Sequence, residues 1–263
     1  MHLPLYQIDA FTMGPFSGNP AAVVPLEHWL DDALMQAIAL ENNLSETAFF
    51  VPFGAYFELR WFTPKIEVQL CGHATLAAAA VIFEELDPSR DAIDFHTRSG
   101  TLAVRRDGEL YRMQLPRWEL EIAPEVPEQL LVGLGARPVE LLRASTHDNW
   151  FAVFDAEQDL QVMTPDFRAL RSLHPAGVAV TAPGTASDCV CRYFAPSYGL
   201  DEDPGTGSIH CGLAPYWAAR LGRQWIHSRQ VSTRGAEFFC EVAPAATFIA
   251  GRARRFLSGQ IVI

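Results

Sequence analysis

Basic residues are scarce in this chain. Lys and Arg together number 20 against 31 Asp and Glu, which gives a formal net charge of −11 at pH 7. Nucleic acids and anionic membranes attract basic surfaces, because their own charge is negative. The acidic balance therefore argues against both, and we expect neither a nucleic-acid partner nor a membrane partner.

Long hydrophobic runs are missing as well. The longest run of small apolar residues is ATLAAAAVIF at 74–83, far shorter than the ~20 residues that cross a bilayer. The opening MHLPLYQIDAF lacks the basic segment followed by an apolar core that marks a secretory signal. We therefore predict a buried helix at 74–83 and a cytoplasmic protein.

The spacing of the cysteines argues against a structural zinc site. They are odd in number and sparsely spaced, and no C-x-x-C pair occurs, so the ligand spacing of structural zinc sites is absent. We expect no metal site, and we interpret the cysteines as buried thiols in a reducing compartment. They are Cys71, Cys189, Cys191, Cys211 and Cys240.

The residues that are present predict a globular protein with a substantial core. Of 263 residues, 49% are hydrophobic and 19% charged, and the length suits two medium domains. Apolar spacing predicts helices at 31–43, 72–86 and 209–222, with strands through most of the remainder. The texture changes after Pro116, where further prolines follow at 124 and 127. We therefore predict a first half at 1–116 and a second half at 117–254.

One module is used twice. RWFTPKIEVQLCGHATLAAAAV starts at Arg60, and RYFAPSYGLDEDPGTGSIHCGLAPYW starts at Arg192. Each runs from Arg, an aromatic residue and Phe through Pro into a small-residue pair that opens a helix: Gly72-His73, then Gly207-Ser208. GNPAAVV at 18–24 also resembles DNWFAVF at 148–154. The repeat predicts an α+β fold of two similar halves, each a mixed sheet around one central helix.

The two glycine pairs predict an anion site. Helix N-termini present unpaired N–H groups and a partial positive charge, and glycine lets a ligand approach the backbone. Two such termini facing a shared cleft would bind an anion from both halves, most simply a carboxylate. The alternative is that the glycines only form tight strand-to-helix turns.

Four residues are candidates for chemistry, each with a plainer interpretation. Glu46, in NNLSETAFFV, lies where a loop enters a strand, but most glutamates are surface residues. His73 at a helix N-terminus would be held neutral and suited to proton transfer, or else caps the helix. Asp203 is an acid in DEDPGTGS or a turn former before Pro204, and Ser208 is an N-cap or a site residue.

Five motifs together resemble the phenazine-biosynthesis isomerases of the PhzF type. They are GNPAAVV, LSETAF, RWFTP, CGHATLAAA and DPGTGSIHCGLAPYW, and the resemblance covers essentially the whole chain. It implies a diaminopimelate-epimerase-like fold of two pseudo-symmetric halves, with the active site in the cleft between them. The last strand, about 255–263, would return to the first half.

The resemblance also implies the chemistry. The family's general acid/base glutamate falls on Glu46, and the other catalytic positions fall on His73, Asp203 and Ser208. Backbone N–H groups of Gly72, His73, Gly207 and Ser208 would bind the substrate carboxylate. We therefore predict a cofactor-independent isomerase of a small carboxylic acid, which functions as a homodimer. Departures at Lys65, Gly205 and Ile209 leave its substrate open.

Two rivals stay open. One is an amino-acid racemase or epimerase on the same fold, which uses a pair of cysteines as its two bases. Cys71 could be the first, but the second half holds no cysteine at the matching position, and Cys211 comes four residues after Gly207. The other rival is a non-catalytic protein that binds a small acid.

Overall fold

The computed structural model describes residues 1–145 and 147–263. The chain divides into two units. One is formed by Met1–Gln114 together with Ala250–Ile263, and the other by Leu115–Ile249. Within the described ranges, no helix is both long and apolar enough to span a bilayer.

A mixed sheet makes up most of the first unit. Its strands are β1 (His2–Ala10), β2 (Asn19–Pro25), β3 (Glu46–Phe53), β4 (Tyr56–Phe62), β5 (Glu67–Val68), β6 (Ala92–Thr97), β7 (Gly100–Asp107) and β8 (Leu110–Pro116). β2 pairs antiparallel with β1 and parallel with β3, and β4 pairs antiparallel with β3. β4 then pairs antiparallel with β5 and parallel with β6, from which β7 and β8 continue as an antiparallel meander.

Two helices pack on this sheet. Helix α1 (Asp32–Asn42) is capped by the Asp31 carboxylate and ends at Asn43 in the left-handed conformation. Helix α2 (Gly72–Val81) continues through a π-helical turn at Ile82–Leu86. From His73 onward every residue of α2 is buried, because its small apolar side chains let strands β1, β2 and β3 approach closely. The predicted central helix of this half is therefore confirmed.

The second unit repeats this topology. Its strands are β9 (Leu120–Ile122), β10 (Glu140–Ala144), β11 (Asn149–Val153), β12 (Gly177–Pro183), β13 (Cys189–Ala195), β14 (Leu200–Glu202), β15 (Trp225–Gln230), β16 (Ala236–Val242) and β17 (Ala246–Gly251). β10 to β13 pair antiparallel, parallel and antiparallel in turn, as β1 to β4 do. β13 then pairs antiparallel with β14 and parallel with β15, which matches β4 with β5 and β6. The predicted internal repeat is thus present in the strand pairing.

The helices of the second unit are α3 (Glu128–Leu134), α4 (Glu157–Val162), α5 (Phe167–Arg171) and α6 (His210–Leu221). Helix α6 is the counterpart of α2, and packs on β15 and β16 with most of its residues buried. Helices α3, α4 and α5 were not predicted. Each has at most seven residues, which is too short for a 3.6-residue period to show in the sequence.

Arg252 separates β17 from the last strand of the chain. The last strand, β18 (Ala253–Val262), pairs antiparallel with β1 in the first unit. All five cysteines are free and buried, as predicted.

The repeat extends to one ion pair in each unit. In the first, the Arg60 guanidinium on β4 holds both carboxylate oxygens of Glu67 on β5, at 2.8 and 2.7 Å. In the second, Arg192 on β13 holds both oxygens of Glu202 on β14, at 2.8 and 2.9 Å. The two arginines are the residues with which the repeated motif begins. The two side chains have the same role in their units, because each joins a short strand of two or three residues to the strand that precedes it.

Candidate active site

Glu46 and His73 meet at one end of the first unit. Glu46 is the first residue of β3, where it lies beside Ala21 of the parallel strand β2. His73 is the second residue of α2, and the turn at Cys71 and Gly72 brings its ring inward. The strand start and the helix start thereby place a carboxylate and an imidazole together, although 27 positions separate them in the sequence.

The two groups are close and shielded from water. Glu46 Oε2 lies 3.2 Å from His73 Nε2, and the two side chains are 18% and 8% exposed. Within the part of the chain that the structure describes, neither atom makes an aligned hydrogen bond. The contact is therefore an electrostatic one, and both atoms keep hydrogen-bonding capacity for a ligand.

The other ring nitrogen of His73 faces two further side chains. Asn19, at the start of β2, places Nδ2 3.2 Å from Nδ1, and Cys71 places Sγ 3.5 Å from the same atom. An amide nitrogen only donates, so Nδ1 accepts from it when the ring is neutral. The proton of the neutral ring then lies on Nε2, which faces Glu46. Sequence reasoning missed this role of Asn19, although it had singled out the GNPAAVV motif that contains it.

These neighbours determine how His73 titrates. Burial lowers the pKa of the His73 imidazole, whereas its contacts with Cys71 first and with Glu46 second raise it, and the outcome lies well above the ordinary value of 6.5. The pKa of the Cys71 thiol is also raised, by burial first and by Glu46 second. The direction for His73 is opposite to the one that a helix N-terminus alone predicts, because the two neighbouring side chains act against burial and the helix dipole.

Glu46, Cys71 and His73 are also the residues that come nearest to a metal-binding set. Their ligand atoms lie within 4.8 Å of one another. An ion uses only one nitrogen of a histidine, and here the sulfur lies at Nδ1 while the carboxylate lies at Nε2. The sulfur and the carboxylate thus approach different nitrogens of the ring.

In the second unit, Asp203 is held in a polar network. It is buried and follows β14 directly, with its N–H donating to the carbonyl of Tyr193 at 3.0 Å. Its carboxylate accepts a hydrogen bond from the Thr206 hydroxyl. Gln230 on β15 connects the same segment, since its Nε2 donates to the Asp203 carbonyl at 2.6 Å and its Oε1 accepts from Thr206 N–H at 2.8 Å. Thr206 and Gln230 were not identified from the sequence.

His210 anchors the start of α6. Its Nδ1 lies 3.0 Å from the Thr206 carbonyl and its Nε2 2.9 Å from the Ser228 hydroxyl, while its ring stacks on Phe238. Burial lowers the pKa of His210 to about 4, so the ring is neutral at pH 7. Because a carbonyl only accepts, Nδ1 carries the proton, and Nε2 accepts from Ser228. His210 is therefore a structural residue, in contrast to His73.

The two glycine pairs take up slightly different positions from those predicted. Gly72 begins α2 as expected, but α6 begins at His210, and Gly207 and Ser208 form the turn before it. Ser208 is not the N-cap, a position that Ile209 occupies. Among the described residues, the backbone N–H groups of the four glycine-pair residues donate no hydrogen bond to the protein. These residues are Gly72, His73, Gly207 and Ser208. These donors are therefore available to a ligand.

The register also shows how the two units differ. Glu46 pairs with Ala21, and the corresponding position in the second unit is Gly177, which pairs with Asn149. The sequence match of GNPAAVV to DNWFAVF is therefore wrong by two residues, because it aligned Asn149 with Asn19. A Cβ on Gly177 would lie 2.1 Å from the Tyr193 hydroxyl and 2.8 Å from Asn149 Oδ1. The second unit consequently has no counterpart of the Glu46 carboxylate.

Comparisons with known proteins agree with the resemblance seen in the motifs. A protein-family model described as phenazine biosynthesis-like protein matches residues 8–253. A protein of Pseudomonas aeruginosa called an uncharacterized isomerase is 46% identical over 261 residues, which cover 99% of each chain.

Solved structures extend the comparison. A PhzF-family phenazine biosynthesis protein from Enterococcus faecalis is 42% identical, covers 100% of each chain and superposes with a TM-score of 0.96. A hydroxyproline epimerase from Agrobacterium vitis superposes with a TM-score of 0.65 at 14% identity, over 99% of this chain and 91% of its own, which shows a shared fold alone. The chain belongs to the PhzF-like, phenazine biosynthesis-like protein family.

Proposed function

We propose that this protein is an isomerase that moves a proton within a small carboxylic acid, with Glu46 as the general acid and base. The observation that carries the proposal is the buried contact of 3.2 Å between Glu46 Oε2 and His73 Nε2, next to the unpaired N–H groups of Gly72 and His73. Relatives that bear the name isomerase support this reaction class.

The groups suit a stepwise proton transfer. The N–H donors of Gly72 and His73 would bind the substrate carboxylate, and so stabilise the negative charge that develops when a neighbouring C–H bond breaks. Glu46 would take that proton and return it to a second carbon of the conjugated system. One C–H bond is broken and another formed, with no net oxidation, so the reaction as proposed needs no cofactor.

His73 would control the charge on Glu46. As an imidazolium it stabilises the carboxylate before the proton is taken, and as a neutral ring it presents Nε2–H to the same oxygen. The Asn19 amide can hydrogen-bond to the ring in either protonation state by rotating. Its Nδ2 donates to an unprotonated Nδ1, and its Oδ1 accepts from a protonated Nδ1. Asn19 is therefore proposed as a positioning residue.

The roles of Asp203, Gly207 and Ser208 are proposed from the family motifs. Asp203 is rigidly held by Thr206, which suits a residue that orients a substrate. On this role, Asp203→Asn should reduce turnover as Glu46→Gln does. The double variant should then be no slower than the slower single variant, because residues that act in one step are not additive.

Hydrogen exchange in D₂O tests the proposal. The protein would be incubated with a panel of cyclic and unsaturated amino and hydroxy acids, including dihydro-hydroxyanthranilate, and mass spectrometry would report deuterium uptake and new isomers. Loss of general acid/base help should slow Glu46→Gln by about 10²–10⁴-fold while ligand binding persists. Glu41→Gln, an exposed carboxylate on α1, is the matched control and should retain the wild-type rate. Equal rates for wild type and Glu46→Gln would refute the role of Glu46.

A racemase that uses Cys71 is the second candidate, because Cys71 Sγ lies 3.5 Å from His73 Nδ1. The sequence expectation about Cys211 needs one correction, since this residue lies in the first turn of α6 rather than a turn further on. Burial raises the pKa of Cys211 to about 12, and the pKa of Cys71 is raised too, so neither thiol is a ready base. Inactivation by iodoacetamide at Cys71 would favour the racemase. Ligand binding with no exchange in the wild type would favour a non-catalytic binding protein.

A further inference from the structure

A cavity of about 440 Å³ opens beside helix α6 in the second unit. One wall is the segment 117–120, which runs into β9. The other wall is a single face of α6, whose members recur every three or four residues. They are Gly212, Pro215, Tyr216, Ala219 and Arg220. Ligand sites commonly have volumes of about 300–1,000 Å³, so the cavity is large enough for a small organic molecule.

Two neighbouring residues of the first wall carry N–H groups that lack a partner. Among the described residues, neither Nε1 of Trp118 nor Nε of Arg117 makes an aligned hydrogen bond, although both atoms are shielded from solvent. Trp118 is 6% exposed, and its backbone N–H donates to the Cys211 carbonyl at 2.9 Å, which holds the residue against α6. Folded proteins leave few buried donors unpaired, because each such donor has given up its hydrogen bond to water. Two of them in one cavity wall favour a ligand that carries hydrogen-bond acceptors.

The charges around the cavity favour an anion. Arg117 and Arg220 line it, together with one acidic residue, Glu119. The Glu119 carboxylate lies 3.2 Å from Arg117 Nε, and the two side chains are 69% and 31% exposed. An ion pair this exposed adds little stability, so an anionic group of a ligand can take the place of the Glu119 carboxylate at small cost. In a chain with a net charge of −11, two arginines at one cavity attract anions locally.

Aromatic side chains give the cavity flat apolar surfaces. The Tyr216 hydroxyl donates to Glu140 Oε2 at 2.8 Å and accepts from Arg220 at 3.0 Å, which fixes the ring on α6. Glu140 also pairs with Arg220 at 3.5 Å and offsets part of its charge, so Arg117 is the stronger candidate to bind an anion. The Trp118 indole supplies the second ring of the lining. Aromatic rings beside guanidinium groups favour a ligand with a planar ring and an anionic substituent.

We propose that this cavity binds a small aromatic carboxylate. The ligand carboxylate replaces Glu119 at the Arg117 guanidinium and accepts a hydrogen bond from Trp118 Nε1. The ligand ring lies between the segment 117–120 and the face of α6. The lining includes none of the residues proposed for proton transfer, so this binding site does not depend on the isomerase reaction.

NMR titration with 2-naphthoate, a planar aromatic carboxylate, tests the site. The chain has six tryptophans, and the indole N–H signal that is missing from Trp118→Phe identifies Trp118. Because its N–H gains an acceptor, the Trp118 signal should move downfield and reach saturation as 2-naphthoate is added. The neutral analogue 2-naphthamide should bind about tenfold more weakly, since hydrogen bonds to a charged group are the stronger ones.

Two variants and a control locate the ligand. Arg117→Gln removes the guanidinium and should raise the dissociation constant about tenfold. Ala219→Phe should also weaken binding, because its ring fills the cavity from an exposed position of α6 and leaves the core unchanged. Arg168→Gln, an exposed arginine on α5 outside the cavity, is the matched control and should bind like the wild type. A Trp118 signal that 2-naphthoate does not shift would overturn the proposal. So would equal affinity for the amide, or unchanged affinity in Arg117→Gln or Ala219→Phe.

Discussion

The pKa of His73 offers a test of the site that needs no substrate. In the wild type it should lie above 6.5, because Cys71 and Glu46 both raise it, and Glu46 faces Nε2 at 3.2 Å. Two unit charges at that distance attract by about 5 kcal/mol at an effective dielectric constant of about 20. Glu46→Gln removes one of the two groups that offset burial, so the pKa of His73 should fall.

NMR titration of the ring measures this directly. The chain has eight histidines, and the signals lost in His73→Asn identify His73. Above the pKa, the ¹⁵N shifts should show the proton on Nε2, as the contact with Asn19 predicts. Glu41→Gln should leave the titration unchanged. A wild-type His73 that titrates below 6.5, or one that Glu46→Gln does not move, would refute the assigned electrostatics.

The same contact makes stability depend on pH. With a raised pKa, the folded state holds the His73 proton more tightly than the unfolded chain does. The resulting stabilisation is complete below pH 6.5 and is lost as pH rises through the folded-state pKa. Denaturation curves of Glu46→Gln should lack this loss on the alkaline side.

Three further predictions concern stability, measured by denaturant unfolding. Burial lowers the pKa of His210 to about 4, so the unfolded chain binds a proton at this residue before the folded chain does. The free energy of unfolding should therefore fall by about 3 kcal/mol between pH 6.5 and pH 4. The variant His210→Gln should be less stable but should lack this pH-dependent contribution. Arg192→Met should lower the free energy of unfolding by about 2–3 kcal/mol, because it leaves Glu202 half-buried and unpaired. Arg143→Met removes a half-exposed ion pair and should lower it by less than about 0.5 kcal/mol. Similar losses of stability in the two variants would contradict the assigned burial. Gly177→Ala should cost about 2–4 kcal/mol through its clash with Tyr193, and Gly259→Ala almost nothing, so a stable Gly177→Ala would contradict the packing.

The sequence predicted most elements of the fold, and the reason is local. Alternating strands such as β8 and the long apolar helix α2 carry patterns that can be read directly. The repeat was visible because Arg60 and Arg192 each begin the same motif, a strand that leads through a loop into a helix. Helices α4 and α5 were missed because five or six residues do not complete two turns.

The site was predicted only in its parts. Motifs identified Glu46, His73 and Asp203 through the family resemblance, and His73 and Asp203 also lie close to glycine turns. The protonation of His73 could not be predicted, because it depends on a carboxylate from another strand and on burial. Asn19, Thr206 and Gln230 were overlooked for the same reason, since amides and hydroxyls have no recognisable pattern until folding brings them to a histidine or an acid.

By itself, then, the sequence determined the order of strands and helices, the duplication and the identity of the reactive groups, all of which follow from neighbouring residues. Tertiary structure decided which groups meet. It placed Glu46 against Nε2 of His73 and Asn19 against Nδ1, and it made His210 neutral. Distance and burial govern electrostatics and association, and they exist only once the chain has folded.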